Sequence, residues 1–431
     1  MLRITVNMNP WVIGLLMSTL GLGIHLAPPL NSMLSGPNEK WNPGGIVASQ
    51  EYIAYNIEVH RSVEPAFIKR PLTTWCLDAL ISVGLSPAWS FILFGFVLFF
   101  IAGVLVYHAA LVAGLEHREA LLAQVAFHAL PTVVFAFFAP IYSYDEPLQY
   151  VTLLLSFLAF QRKRFPWFIL WFGVAMLARE TSALLIPSLL WLNHASSSND
   201  RARSTGASGW GRLAGMIAIG SPLLIYVLFL AFYLPHSGIV ESSRSDLGGR
   251  LSFFDSNFKD GDMAGESLSY CYLALGLPLF LLGRYAISSE CLPQYQRLIR
   301  AVLIALVVNT AAVFVAAKAR EARLFALPLL LVLPLLGRVW LVELRRHGGF
   351  VRMLGFFKRW DYALVFLLSG GLLMLVSDHV FSLSDGVPSE NLFHEYFMGQ
   401  SLFIVCCLLS DFYQRAAGRR KPRVLATEIE V

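Results

Sequence analysis

Long apolar runs alternate with short polar breaks along almost the whole chain. The runs fall at 10–28, 89–113, 120–141, 147–160, 165–178, 182–193, 212–234, 266–283, 299–317, 324–343, 361–378 and 397–413. Runs near 20 residues match the length a helix needs to cross a bilayer, so the pattern predicts about twelve membrane helices. Two runs are short. At 1.5 Å per residue, 165–178 and 182–193 reach only about 21 and 18 Å, less than the roughly 30 Å hydrocarbon core. Joining them would bury Arg179 and Glu180 in mid-membrane and invert every later loop. The pattern instead predicts a hairpin whose tip, Arg179-Glu180-Thr181, ends below the outer surface in a water-filled cavity.

Composition sharpens this. Of 431 residues, 56% are hydrophobic and only 14% are charged. Soluble domains run about 45–50% apolar and about 25% charged, so soluble, disordered and coiled-coil classes are excluded. Placing both termini in the cytoplasm puts 22 of the 33 Lys and Arg residues on the inner side and 11 outside, in keeping with the positive-inside rule. The net charge of +5 is spread over loops, which does not suit a nucleic-acid partner. The expectation is an all-α, multi-pass protein of a bacterial inner (plasma) membrane. Residues 1–414 form a single transmembrane domain, and 415–431 form a basic cytoplasmic tail. The first apolar run lacks a cleavage site and reads as a signal anchor.

The outer segments differ in size. Residues 29–88 form a long one. Pro28-Pro29, Gly36-Pro37 and Pro43-Gly44-Gly45 supply turns, and two surface helices follow. Glu51, Tyr55 and Glu58 share a face of the first. Pro71 opens the second, whose apolar stripe is Leu72, Trp75, Cys76, Ala79 and Leu80. A second long outer segment spans 235–265. The five cysteines show no CxxC or His/Cys ligand spacing.

Charges gather on the outer side. Asp145 and Glu146 are adjacent in a very short connection, where two acids are costly unless solvated or paired. Lys318, Arg320, Glu321 and Arg323 form a cluster with three cations on the side the positive-inside rule disfavours, which an anion held near the outer surface would offset. Glu51, Arg61, Lys69, Arg70, Arg179 and Glu180 complete the set. A lone charge at a helix end more often marks the interface or snorkels. The outer histidines, including His25, His60, His236, His379 and His394, lack a metal-ligand motif and read as structural. No P-loop, GxGxxG turn or GxSxG elbow occurs.

Three stretches carry a family likeness: Gln50-Glu51-Tyr52 followed by Arg70-Pro71-Leu72; Tyr144-Asp145-Glu146-Pro147; and Arg179-Glu180-Thr181. With the order of spans and loops over the first 330 residues, and the Lys318–Arg323 segment, the chain resembles the GT-C superfamily of integral membrane glycosyltransferases. The resemblance implies transfer of a sugar, with inversion, from a polyprenyl-phosphate donor to a hydroxyl of a lipid, glycan or protein acceptor on the extracytoplasmic face. Glu51 would be the general base. Lys318, Arg320 and Arg323, with Arg179 and Arg61 behind them, would hold the lipid phosphate. Asp145 and Glu146 would bind sugar, acceptor or a divalent metal ion, and Glu180 would join the substrate site; no other cofactor is implied. Where family members often carry an acidic pair in the first loop, this chain has Gln50-Glu51. A multi-pass transporter or lipid-linked-sugar flippase is the alternative, although its expected half-to-half repeat is not evident. A polysaccharide polymerase or ligase would usually place its largest outer loop late, whereas here it comes first.

Overall fold

The computed structural model describes residues 8–35, 50–63, 65–137, 143–201, 208–236, 249, 252–319, 321–382 and 390–418. These residues are overwhelmingly helical, and no strand occurs among them. The helices are α1 (Pro10–Ser35), α2 (Gln50–Glu58), α3 (Pro65–Ile68), α4 (Pro71–Ser82), α5 (Pro87–Val112), α6 (His117–Ala129), α7 (Pro131–Phe137), α8 (Glu146–Gln161) and α9 (Phe165–Ala178). After them come α10 (Ile186–Arg201), α11 (Ser208–His236), α12 (Phe253–Phe258), α13 (Gly261–Ala286) and α14 (Pro293–Ala316). The last described helices are α15 (Leu333–Arg346), α16 (Phe350–Met353), α17 (Trp360–Ser382) and α18 (Glu390–Ala416).

Local chemistry sets many of the helix ends. Ser86 caps α5 by accepting from the Trp89 amide, and Pro87 occupies the first turn, where a missing N–H costs nothing. Glu116 and Glu119 form a capping box on α6. Asp260 accepts from the Met263 amide to start α13. Pro131 forces the residue before it out of helical geometry; Leu130 is extended (φ −74°, ψ 118°), and α6 and α7 meet at a 61° bend.

Six helices among the described residues are long and apolar enough to cross a membrane: 87–112, 213–235, 261–286, 293–316, 360–381 and 393–416. A seventh is reached if the bent pair α6–α7 counts as one. Their outward faces carry large apolar side chains, with Phe232 and Val307 each 72% exposed and Leu367 67%, as expected where lipid rather than water is the neighbour. The protein is an all-α polytopic membrane protein. Of the five remaining apolar runs, 10–28 lies within the 26-residue helix α1, and the other four are helical but shorter or interrupted. One interruption is the 3₁₀ stretch Leu327–Leu331 ahead of α15.

One continuous core joins α5, α6, α8, α13, α14 and α15. Helices α6 and α15 approach so closely at Gly337 that a Cβ there would lie 1.8 Å from the Glu119 carbonyl oxygen. A second, smaller core of Met353, Phe356, Cys406, Cys407 and Leu409 lies beside it. In α4 the inward face is Thr73, Thr74 and Leu77, whereas Trp75 of the expected stripe is 49% exposed. The apolar stripe therefore faces away from the bundle, and the short polar residues face in.

Candidate functional site

Three breaks in helical structure meet at one end of the bundle. Pro65–Ile68 and Pro71–Ser82 are separate helices, and Arg70 lies between them with non-helical dihedrals (φ −119°, ψ 60°). Asp145 is the residue that starts α8. Arg179 is extended (φ −160°, ψ 121°), which ends α9 and turns Glu180 into a 3₁₀ turn. Ser182 clamps this break, donating from its hydroxyl to the Ala175 and Arg179 carbonyls at 3.1 and 2.8 Å. Gln149 of α8 donates to Ser182 and Thr181 at 2.9 and 3.1 Å, fixing the break against α8. A fourth segment arrives after α14. Asn257 holds it by donating to the Phe314 and Ala317 carbonyls at 3.0 and 2.8 Å and accepting from the Ala319 amide at 3.0 Å.

The breaks deliver a chain of alternating charges. Arg70 is 4% exposed. It grips Glu180 with both arms of its fork, Nε to Oε2 at 2.5 Å and Nη2 to Oε1 at 2.6 Å, and reaches Asp145 Oδ2 with Nη1 at 3.4 Å. Lys69 Nζ lies 3.5 Å from Glu180 Oε1. Arg179 Nη1 pairs with Glu146 Oε1 at 2.8 Å. Arg323 reaches Glu146 Oε2 at 3.8 Å and pairs with Glu321 at 2.6 Å. Asp145, Glu146, Glu180 and Glu321 thus face Lys69, Arg70, Arg179 and Arg323, with Lys318 within electrostatic reach of Glu321, the kind of pairing buried charge requires if it is to stay ionised.

The balance leaves some atoms unfilled. Asp145 Oδ1, Glu146 Oε2 and the hydroxyls of Tyr150 and Tyr226 are buried and make no hydrogen bond. Buried polar atoms are nearly always paired, and clusters of unpaired ones mark places that need a partner. Burial pushes the Asp145 carboxyl up to about 6, although Arg70 and Arg179 oppose the shift. Burial also acts to raise Glu180, but the Arg70 fork and Lys69 outweigh it and hold Glu180 well below the usual carboxylate range. Two neighbouring acids are therefore driven apart, one strongly acidic and one nearly neutral in strength, a pattern common at functional sites.

An aromatic wall stands beside them. The His60 ring stacks on Phe67 and Tyr144, with centroids 4.1 and 3.7 Å away. His60 Nδ1 donates to the Asn56 carbonyl at 2.8 Å, and burial lowers its pKa to about 4, so it is neutral at physiological pH. Tyr144 OH and Thr74 Oγ1 are 3.1 Å apart.

Of the residues expected from sequence, Asp145, Glu146, Arg179, Glu180 and Arg323 come together here. Lys318 is exposed. Arg320 lies outside the described residues. Glu51 is in the first turn of α2, but its side chain lies outside the described ones. Arg61 does not join the cluster; it pairs with Glu58 at 2.8 Å and with Asp78, all three well exposed. Arg70 and Lys69 hold positions that sequence reasoning left unassigned. The signal was an Arg set directly before a helix-opening proline in an otherwise outward-facing segment. Tyr226 of α11 is 6% exposed and lies within electrostatic reach of Arg70 and Glu180; nothing in its apolar neighbourhood pointed to it.

Asp145 and Glu146 are each tied to guanidinium groups, and the described side chains with metal-ligand proximity, Glu343, His347 and Cys407, lie elsewhere. No metal step is assigned to the acid pair. A cavity of about 680 Å³ opens at the opposite end of the bundle, beside Glu116, Arg118 and Arg338; Arg338 there already binds Glu119 at 3.2 Å and Tyr285 at 3.0 Å. Comparison of the chain with protein-family models, curated proteins and solved structures gives no match.

Proposed function

We propose that this protein is a membrane glycosyltransferase of the GT-C type, with twelve passes, both termini cytoplasmic and the ionic cluster on the extracytoplasmic side of the inner membrane of a bacterium. Its donor is a polyprenyl-phosphate sugar and its acceptor a hydroxyl of a lipid, glycan or protein. The observation that carries the reading is the set of unfilled, buried acceptor oxygens on Asp145 and Glu146, flanked by Arg179 and Arg323. Carboxylate oxygens suit sugar hydroxyls, and the flanking cations suit a departing phosphate.

Asp145 takes the role of general base. Its free Oδ1 accepts the acceptor's hydroxyl proton as that oxygen bonds to the anomeric carbon. The anomeric carbon–oxygen bond to phosphate breaks, and the lipid phosphate leaves with the electron pair. Arg179, Arg323 and Lys318 stabilise its charge, with Arg320 adding to them. A base whose pKa lies near neutrality is well matched to proton transfer at physiological pH. Glu51, expected as the base from sequence, is the competing base.

Native mass spectrometry of the gently purified protein tests the donor class. A co-purifying polyprenyl-phosphate sugar, lost on Arg323→Ala, supports it. Only bulk phospholipid, even after a panel of such donors is added, sinks it. For the base, Asp145→Asn is expected to slow transfer at least 100-fold, within the usual range for a general base, while Glu51→Gln keeps most of the rate; the reverse pattern returns the role to Glu51. The alternation of acids and cations among the described residues favours a second reading, a carrier whose ion pairs exchange during transport, and substrate counterflow without transfer would establish it.

A further inference from the structure

At the far end of the bundle, two helices each present a pair of side chains with metal-ligand chemistry. Glu343 and His347 lie four residues apart at the end of α15. Cys407 and Asp411 lie four residues apart on α18. A spacing of four places both members of a pair on one helix face, and the two faces meet. One ligand atom from each of Glu343, His347 and Cys407 lies within 4.8 Å of the others, and all three residues are buried. Asp411 Oδ1 is 3.7 Å from His347 Nδ1. Neither the ionic cluster nor the proposed transfer reaction uses any of them.

Two further observations point to a missing ligand. His347 has no exposed side-chain surface, and its Nδ1 is buried without a hydrogen-bond partner. The two carboxylates are also drawn together around a cation. The Arg284 guanidinium, reaching in from α13, bridges Asp411 Oδ2 at 2.6 Å and Glu343 Oε1 at 2.7 Å. Arg284 fills the seat between the two carboxylates, and the Cys407 sulfur beside it and the His347 Nδ1 are donors that this guanidinium does not use.

We propose that Glu343, His347 and Cys407 bind a zinc ion that fastens the C-terminal helix α18 to the main bundle. A carboxylate, an imidazole and a thiolate form a set that selects a borderline, tetrahedral divalent metal over magnesium or calcium. Bonds of about 2.0–2.3 Å place tetrahedral ligands roughly 3.3–3.8 Å apart, so side-chain rotations of about 1 Å close the set. On binding, the Cys407 thiol loses its proton to solvent, His347 supplies a lone pair, and Glu343 exchanges one contact with Arg284 for the metal. Arg284 keeps its bond to Asp411 and rests over the Phe280 ring, 5.3 Å from its centroid. Water or Asp411 completes the fourth position. The site stands at the junction between the small second core, which contains Cys407, and the α15 helix of the main core, where a cross-link has most to hold.

Cobalt(II) substitution tests this on the full-length, tag-free protein in detergent after chelation. One equivalent of Co²⁺ should produce a thiolate-to-cobalt charge-transfer band with tetrahedral visible absorption, and added Zn²⁺ should bleach it. Cys407→Ser and His347→Gln should each remove the band, Cys406→Ser should retain it, and Zn²⁺ should raise the Tm of the unsubstituted protein but of neither ligand variant. Absence of the band in folded unsubstituted protein overturns the proposal. So does a band that survives both ligand variants. If Cys407→Ser fails to fold, His347→Gln decides alone. The proposal does not depend on the transferase reading.

Discussion

Two buried charge networks occupy opposite ends of the bundle, and they are built in opposite ways. At one end, Arg70, Asp145, Arg179 and Glu180 sit at interruptions of helical structure. At the other, Arg284, Glu343 and Asp411 project from continuous helices. Continuous helices fix side chains at regular spacing, so Glu343 can serve His347, Arg284 and Arg346 at once. Interruptions free backbone and side chains to point into a common space, and there Asp145 and Glu146 retain unfilled oxygens. Each network keeps unpaired polar atoms, Asp145 Oδ1 at one end and His347 Nδ1 at the other, so what separates the two is the backbone that carries them, broken at one end and continuous at the other.

Cutting each network separates their roles, beginning with the largest effect. Arg70→Ala leaves Glu180 and Asp145 as uncompensated buried charges, and breaking such a pair costs about 3–5 kcal/mol. The Tm in detergent should fall sharply, and the variant should be poorly recovered from membranes. Arg284→Met breaks the other network with a loss of about 3 kcal/mol, but transfer per folded molecule should remain as in the unsubstituted protein. A parallel loss of transfer at 25 °C would erase the distinction between the two ends.

Acidity offers a finer cut. In the proposed mechanism the working form of Asp145 is ionised, so the rate should climb as pH rises through about 6 and level off above it. His60 cannot produce that limb, because it is already neutral above about 4. A rate profile flat from pH 5 to 8 would remove Asp145 from the mechanism. Stability should respond in opposite senses to the two acids. Asp145 has a folded pKa above its ordinary value of 3.8, so it favours the fold at low pH and that contribution is lost as pH rises toward 6. Glu180 is depressed, so its contribution is present above its ordinary 4.5 and is lost as pH falls below it. In Arg70→Lys, with the bidentate grip gone, Glu180 is less depressed, so its acid-side loss in thermal melts should be smaller and complete at higher pH.

Arg61→Ala should do least. Its partners Glu58 and Asp78 are exposed, and solvent screening leaves such pairs contributing little to stability. A shift in Tm beyond a few degrees, or a change in donor binding, would draw Arg61 back into the site.

The apolar periodicity by itself determined the class of protein. Runs too long and too numerous for a soluble core require lipid as solvent, and Pro71 marked a helix start because a missing N–H acts locally; the break at Pro131, inside the run 120–141, came only from the structure. Adjacent acids at Asp145 and Glu146, and the Arg179-Glu180 step between two short runs, could be read as anomalous because burying charge is costly wherever it occurs. The partners that make those charges tolerable could not be read. Arg70 meets Glu180 across 110 positions and Arg284 meets Asp411 across 127, and no local rule links such distances. Arg61 and Arg70 stand nine residues apart with the same chemistry; only packing turned one outward to water and the other inward. Sequence placed the charges in the wrong solvent, and tertiary structure decided which of them would face each other, since Coulomb attraction and desolvation depend on distance in space and not along the chain.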